Sequence, residues 1–279
     1  MARTPQAIAL GLLLRQARKE SGLSLHKLGL MVGRDAPTLS RWESGERVPA
    51  PEHAGYVLGA LGARRSVFAQ AMALARESDG GCWIAASAGE REVQRAARRE
   101  FERVATRITY VCCEMIPDLL RTPATTAVVL RAEGKSDQEI SVGAAAQTER
   151  QKVLTRHQAV ALTVVLGEAA LRQRIGGDAI ATAQLEYLAE VARLPDVDLR
   201  VLPLEAGWHP GLGGDTAILD SLGLRTALVD NRFVGMWVHR PDDVRGHERD
   251  ARSVRHRALP PLDSLALIGE VCGVTGLIG

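Results

Sequence analysis

The sequence predicts a multidomain chain, with an all-α N-terminal domain of five short helices followed by a larger mixed α/β (or α+β) domain. Three observations predict it. Through residue 76, apolar residues recur three and four apart in short stretches cut by Gly22, Gly33, Gly45 and Pro51. The run Ser78-Asp79-Gly80-Gly81 reads as a linker. Beyond residue 108 the period changes to short apolar, β-branched runs. The resulting boundaries are 1–77, a linker and charged helix at 78–107, and 108–279.

The elements follow in order. Residues 7–20 set Leu10, Leu14 and Ala17 on one face, with Arg15, Arg18 and Lys19 between them, and Gly22 ends the helix. Ser24 caps a short helix to Val32 with Leu28 inward. Asp35 caps a third helix to Glu43, with Leu39 and Trp42 inward and Pro37 in its first turn, where a missing N–H does no harm. Arg47 to Pro51 is a turn, Pro51 starts a fourth helix through Leu61, and Ser66–Arg76 is a fifth. A charged helix from Gly89 to Arg107 carries Val93, Ala97, Phe101 and Val104 on one face, either as a solvated helix or as a dimer or partner surface. Strands are expected at Ile108–Cys113, Thr163–Leu166, Asp198–Leu202, Thr216–Leu219, Arg225–Val229 and Val234–Val238. Thr182–Arg193 reads as a helix with Leu185, Leu188 and Val191 inward, and Pro241–Leu259 as a final polar helix.

The 279 residues are 46% hydrophobic and 24% charged, enough for a sizeable core without disulfides or metals. No apolar run approaches the ~20 residues that cross a bilayer. The N-terminal stretch ends early in Arg15, Arg18 and Lys19 and has no small-residue cleavage site, so it reads as a helix and not a signal peptide. A cytoplasmic protein without membrane contact is expected. Cys82, Cys112, Cys113 and Cys272 show no CxxC spacing and read as reduced thiols, with a redox switch at Cys112/Cys113 as the alternative. Residues 1–80 hold 11 Lys/Arg against 7 Asp/Glu, and residues 161–279 hold 12 against 16. A basic N-terminal part attached to a mildly acidic remainder suits one module that meets phosphate and one that does not.

The segment Ser24–Gly45, SLHKLGLMVGRDAPTLSRWESG, carries the function signal in its spacing. Leu28, Val32, Leu39 and Trp42 fit the inward positions of two helices joined by a tight turn. Gly29 permits close approach, and Gly33 takes the position that favours a positive φ. The third helix then turns its outer face, with Ala36, Pro37, Ser40 and Arg41, toward a DNA major groove. Arg34, Thr38, Ser40 and Arg47 are candidate phosphate contacts, and double-stranded DNA is the expected partner.

These residues resemble the Xre, or phage Cro-type, helix-turn-helix family. Ser24, Leu28, Gly29, Gly33, Thr38, Ser40, Arg41, Trp42, Glu43, Gly45 and Pro49 stand at matching positions. The resemblance implies a five-helix helix-turn-helix domain in which an Arg of the first helix pairs with the Glu that closes the third; Arg18 and Glu43 hold those places. Pro37 departs from the Gln or Ser usual there and has no side-chain donor, which leaves Arg41 as the base-reading candidate. One recognition helix covers only a half-site, so a homodimer on a two-fold-related operator is expected.

The rest of the chain resembles the C-terminal domain of unknown function in actinobacterial, WhiJ-like, antitoxin-like Xre regulators. The segments are IPDLLRTP at 116–123, ERQKVLTR at 149–156, LTVVLGEAALRQRIGG at 162–177 and QLEYLAEVARLPDVDLRVLPLEAGWHPGL at 184–212. Asp118 and Arg121 depart from the family's Gly and Gln, and Thr125 stands where an aromatic is frequent. The resemblance implies a regulator associated with a small partner protein. Trp208, His209 and Trp237 are a candidate ligand or partner pocket, with core packing as the alternative. Glu168, Glu205, His209, Asp215 and Asp230 invite an enzyme reading, but no nucleophile elbow or phosphate loop accompanies them. No enzymatic activity, cofactor or metal site is expected.

Overall fold

The computed structural model describes residues 3–76, 80–231 and 233–273. The chain forms two compact units, Met1–Glu100 with Arg232–Arg240, and Phe101–Asn231 with Pro241–Gly279. It combines an all-α helical N-terminal region with a mixed α/β region.

The first unit begins with α1 (Pro5–Glu20), α2 (Leu25–Val32), α3 (Ala36–Glu43), α4 (Pro51–Ala60) and α5 (Arg65–Arg76). Short polar side chains start three of them: Thr4, Ser24 and Asp35 each accept the backbone N–H three residues on, from Ala7, Lys27 and Thr38. Gly33 ends α2 at φ 62°, in the left-handed region. Leu10, Leu28, Leu39 and Leu58 are fully buried. Each removes roughly 1.5–3 kcal/mol worth of apolar side chain from water, which is what holds helices this short. α1 lies against α3 and α5, and α4 against α5.

Of the expected linker, Ser78 and Asp79 lie outside the described residues. Gly81 is held as a turn at φ 73°, its carbonyl accepting the N–H groups of His239 and Arg240. It leads into β1 (Cys82–Ala85), which pairs antiparallel with Gly235–Val238 and sets Trp83 opposite Trp237. Sequence reading missed β1, because four residues are too few to display a period. α6 (Ala88–Arg103) follows and stops before Arg107, which is already in a strand. Gln94 on α6 donates to the carbonyls of Trp83 and Gly235 at 3.0 and 3.2 Å, tying the helix to the ribbon. Val93, Ala97 and Phe101 are buried within this chain, so the expectation that their face serves a second chain is corrected.

The second unit contains β2 (Arg107–Cys112), α7 (Pro123–Ala132), α8 (Asp137–Gln151), β3 (Ala161–Gly167), α9 (Glu168–Arg172), α10 (Asp178–Val191) and β4 (Val197–Leu202). β5 (Thr216–Ser221), β6 (Leu224–Asp230), α11 (Pro241–Arg257) and α12 (Pro261–Cys272) complete it. Its strands run in the order β6-β5-β2-β3-β4. β2, β3 and β4 are parallel, and β5 is antiparallel to both β2 and β6. Val164, Val165 and Leu166 are all buried, which explains the unbroken apolar run of β3: both faces of a central parallel strand are covered. The α7–α8 hairpin was not expected. Its local signals are Thr122-Pro123 and the capping box of Ser136 and Glu139. Backbone and hydroxyl donors of Ser136 hold the Glu139 carboxyl down at about 2. α12 also went unread, its start hidden behind Pro260-Pro261.

Candidate nucleic-acid interface

The helix-turn-helix geometry rests on three close backbone approaches. A Cβ on Gly29 would lie 2.5 Å from the Arg34 carbonyl oxygen, so only glycine lets α2 meet the turn into α3. A Cβ on Gly11, in the middle of α1, would lie 2.6 Å from the carbonyl oxygens of both Trp42 and Glu43. Gly45, at φ 70°, leaves no room beside the backbone of Ile8. The C-terminal end of α3 is therefore pressed onto α1. Sequence reading missed Gly11, since a lone glycine inside a helix looks only like a weak helix former.

Charge fixes the same joint. Arg18 Nε and Nη2 donate to the two oxygens of Glu43, while Nη1 donates to the Leu23 carbonyl at 2.8 Å. The carboxylate holds the Arg18 guanidinium above its ordinary pKa. Arg15 stands 3.8 Å from the same carboxylate. At the other end of α3, the hydroxyl and N–H of Thr38 stabilise the charged Asp35 carboxyl and lower its pKa. That negative charge sits at the positive end of the helix dipole.

With Leu39 and Trp42 turned inward, the outer face of α3 carries Pro37, Ser40 and Arg41, all exposed, with Ala36 and Thr38 half-buried beside them. Arg41 leans toward Thr38, its Nη2 3.4 Å from the hydroxyl. Arg47 is exposed in the following loop. Arg34 is exposed as well, but its Nη2 lies 2.7 Å from His53 Nε2, and His53 stacks on Trp42 with ring centroids 5.9 Å apart. Arg34 is thus already oriented by α4. The predicted contact residues Arg34, Ala36, Pro37, Thr38, Ser40, Arg41 and Arg47 all belong to the turn, α3 and the loop after it.

The candidate pocket residues Trp208, His209 and Trp237 are divided between the two units. Trp237 is fully buried in the first unit, its ring 6.4 Å from that of Trp83. In the second unit Trp208 is 76% exposed and His209 is buried, its Nδ1 without a hydrogen-bond partner. Burial and the nearby Arg257 charge lower the His209 pKa. Consecutive residues on a short turn after Pro203 point one ring out and the other in, which the sequence does not reveal.

Asp118, one of the departures in the IPDLLRTP segment, accepts Arg150 Nη1 at 3.0 Å, and Arg150 also grips the buried Glu102 at 2.6 Å. Arg121 donates to the Ile116 carbonyl at 2.8 Å. Glu168 is buried; burial raises its pKa, and the Leu204 N–H and Arg172 overcome that and lower it. Asp215 accepts the N–H of Cys113, and burial together with the Asp215 charge pushes the Cys113 thiol up to about 11. All four cysteines are free thiols. Among the described residues, no helix is long and apolar enough to cross a membrane.

Known families match both parts. A helix-turn-helix domain model matches residues 9–70, and the model of a domain of unknown function, DUF5753, matches residues 95–270. No curated protein and no solved structure matches the chain. A helix-turn-helix domain is a DNA-binding module, and here it precedes a match that spans well over half of the sequence. The chain belongs to the DUF5753 family.

Proposed function

We propose that this protein is a sequence-specific DNA-binding transcriptional regulator of the Xre type, bound as a homodimer to a two-fold-related operator. The observation that carries this reading is the outer face of α3. It is open and holds Ser40 and Arg41, on a helix whose angle is pinned by the Arg18–Glu43 pair and by Gly11. A recognition helix needs that combination of rigid mounting and free face. Arg41 reads a base edge, and Arg34, Thr38, Ser40 and Arg47 hold phosphates. Two such helices about 34–36 Å apart would enter successive major grooves.

The second unit serves to sense or to bind a partner and is not an enzyme. Its buried Cys113 is a protonated thiol, not an activated nucleophile. The alternative is an antitoxin-like interaction protein that mainly binds a small protein encoded nearby. Leu204, Trp208 and Leu212 favour it: three large apolar side chains, each more than half exposed, within nine residues.

Selection of bound sequences from a random DNA pool, followed by binding of the selected site and light scattering of the complex, tests the first reading. One enriched palindromic site bound by two chains supports it. Absence of any enrichment overturns it.

A further inference from the structure

We propose that a groove in the second unit binds a small hydroxylated phosphomonoester, with Arg107 and Arg252 holding its phosphate. The groove has a volume of about 620 Å³, within the ~300–1,000 Å³ range of small-molecule sites. Its floor is one end of the sheet. Arg107 and Thr109 alternate onto the same face of β2, and the register sets Thr163 of β3 beside Thr109 and Asp220 of β5 beside Arg107. Its roof is α11, which presents Glu248, Arg252 and Arg255 at helical spacing. Arg107 is exposed and both threonines are only half-buried.

The charges of the groove divide into satisfied and unsatisfied. Both oxygens of Asp220 hold Arg225, which also reaches Glu248 at 2.8 Å. Asp198 is shared between Arg200 at 2.9 Å and Arg255 at 2.6 Å. Arg107 and Arg252 have no acidic partner among the described residues, although both line the groove. Asp220 stands directly beside Arg107 yet is taken up by Arg225, so the Arg107 charge stays available. The hydroxyls of Thr109 and Thr163 are likewise uncommitted. Two guanidinium groups and two hydroxyls offer more donors than one carboxylate can accept. They suit a phosphate monoester, with a charge of about −1.5 to −2 at pH 7 and three acceptor oxygens. Asp196, exposed on the rim, supplies an acceptor for a ligand hydroxyl and repels a second anionic group.

This inference does not rest on the DNA reading, so binding is measured without DNA. The full-length protein is titrated calorimetrically with D-ribose 5-phosphate, with D-ribose and with inorganic phosphate. Arg107→Gln, Arg252→Gln and, on exposed α7 outside the groove, Arg131→Gln are compared after thermal melts show each folded. Saturable binding of ribose 5-phosphate is expected, with weaker binding of phosphate and none of ribose. Arg107→Gln and Arg252→Gln should each weaken it roughly tenfold or more, the loss of one charge-assisted contact, and Arg131→Gln should leave it unchanged. Three results overturn the proposal: no ribose 5-phosphate binding at millimolar concentration, binding indifferent to both groove substitutions, or phosphate bound as tightly as its ester.

Discussion

Arg18 and Glu43 meet at two points, with the guanidinium Nε and Nη2 lying 2.6 and 2.8 Å from the two carboxylate oxygens. Twenty-five residues apart in sequence, they join the last turn of α1 to the last residue of α3. Glu43 is buried and Arg18 nearly so, so the pair is shielded from water and salt.

Removing one partner of such a pair strands the other charge. Glu43→Ala should destabilise the N-terminal unit by about 3 kcal/mol, near the lower end for buried pairs because Arg18 keeps its bond to Leu23. Circular-dichroism melting should show the loss, and affinity for every DNA sequence should fall with it. Unchanged melting would mean that the pair does not hold α3.

Gly11→Ala runs against helix propensity. In an open helix the change gains up to ~1 kcal/mol. Here the new methyl meets two carbonyl oxygens at 2.6 Å, so a net loss of roughly 2 kcal/mol is expected from overpacking. A rise in melting temperature would show that α1 and α3 separate without penalty.

Arg41→Ala tests base reading. A bidentate contact to a guanine contributes about 1–3 kcal/mol of discrimination. Affinity for the selected site should drop by that amount, with little change on random DNA. Equal losses on both would reduce Arg41 to a phosphate contact.

Cys113 should resist alkylation at pH 8, when its thiol is protonated and buried, while exposed Cys82 reacts. Mass spectrometry after iodoacetamide treatment distinguishes the two. A thiol whose folded pKa is raised from 9.0 to about 11 contributes stability below pH 9 that is lost as pH rises toward 11. Cys113→Ala should therefore flatten the alkaline part of the stability profile. Labelling of Cys113 at the rate of Cys82 contradicts the assignment.

Glu139 works in the opposite direction. Its folded pKa of about 2 lies below the ordinary 4.5, so its capping contribution is present above pH 4.5 and fades as pH falls toward 2. Glu139→Gln should reduce the acid sensitivity of the second unit in urea unfolding across that window. An identical acid profile in the variant would show that the box is not formed in solution.

The helices of the N-terminal region were legible because caps and period are local facts. Ser24, Asp35 and Gly33 each act within four residues of themselves, and Leu28, Leu39 and Trp42 repeat at the helical interval. The strands β2 to β6 were legible for the same reason, though their order was not. Which strand lies beside which depends on pairings between residues far apart, such as Thr109 with Ile218, and no short window contains them. β1 shows this most simply: its four residues become a strand because Gly235–Val238 offers them a partner. Sequence could name Arg41 as a candidate, since facing outward follows from Leu39 and Trp42 facing inward. It could not find Gly11, whose meaning lies in two carbonyls of another helix, nor separate Trp208 from His209, whose opposite burial is set by a turn. Local chemistry set the N-terminal helices and the strands β2 to β6. Only the packed chain decided which groups lost their water and which charges found partners, because burial and pairing are properties of neighbours in space.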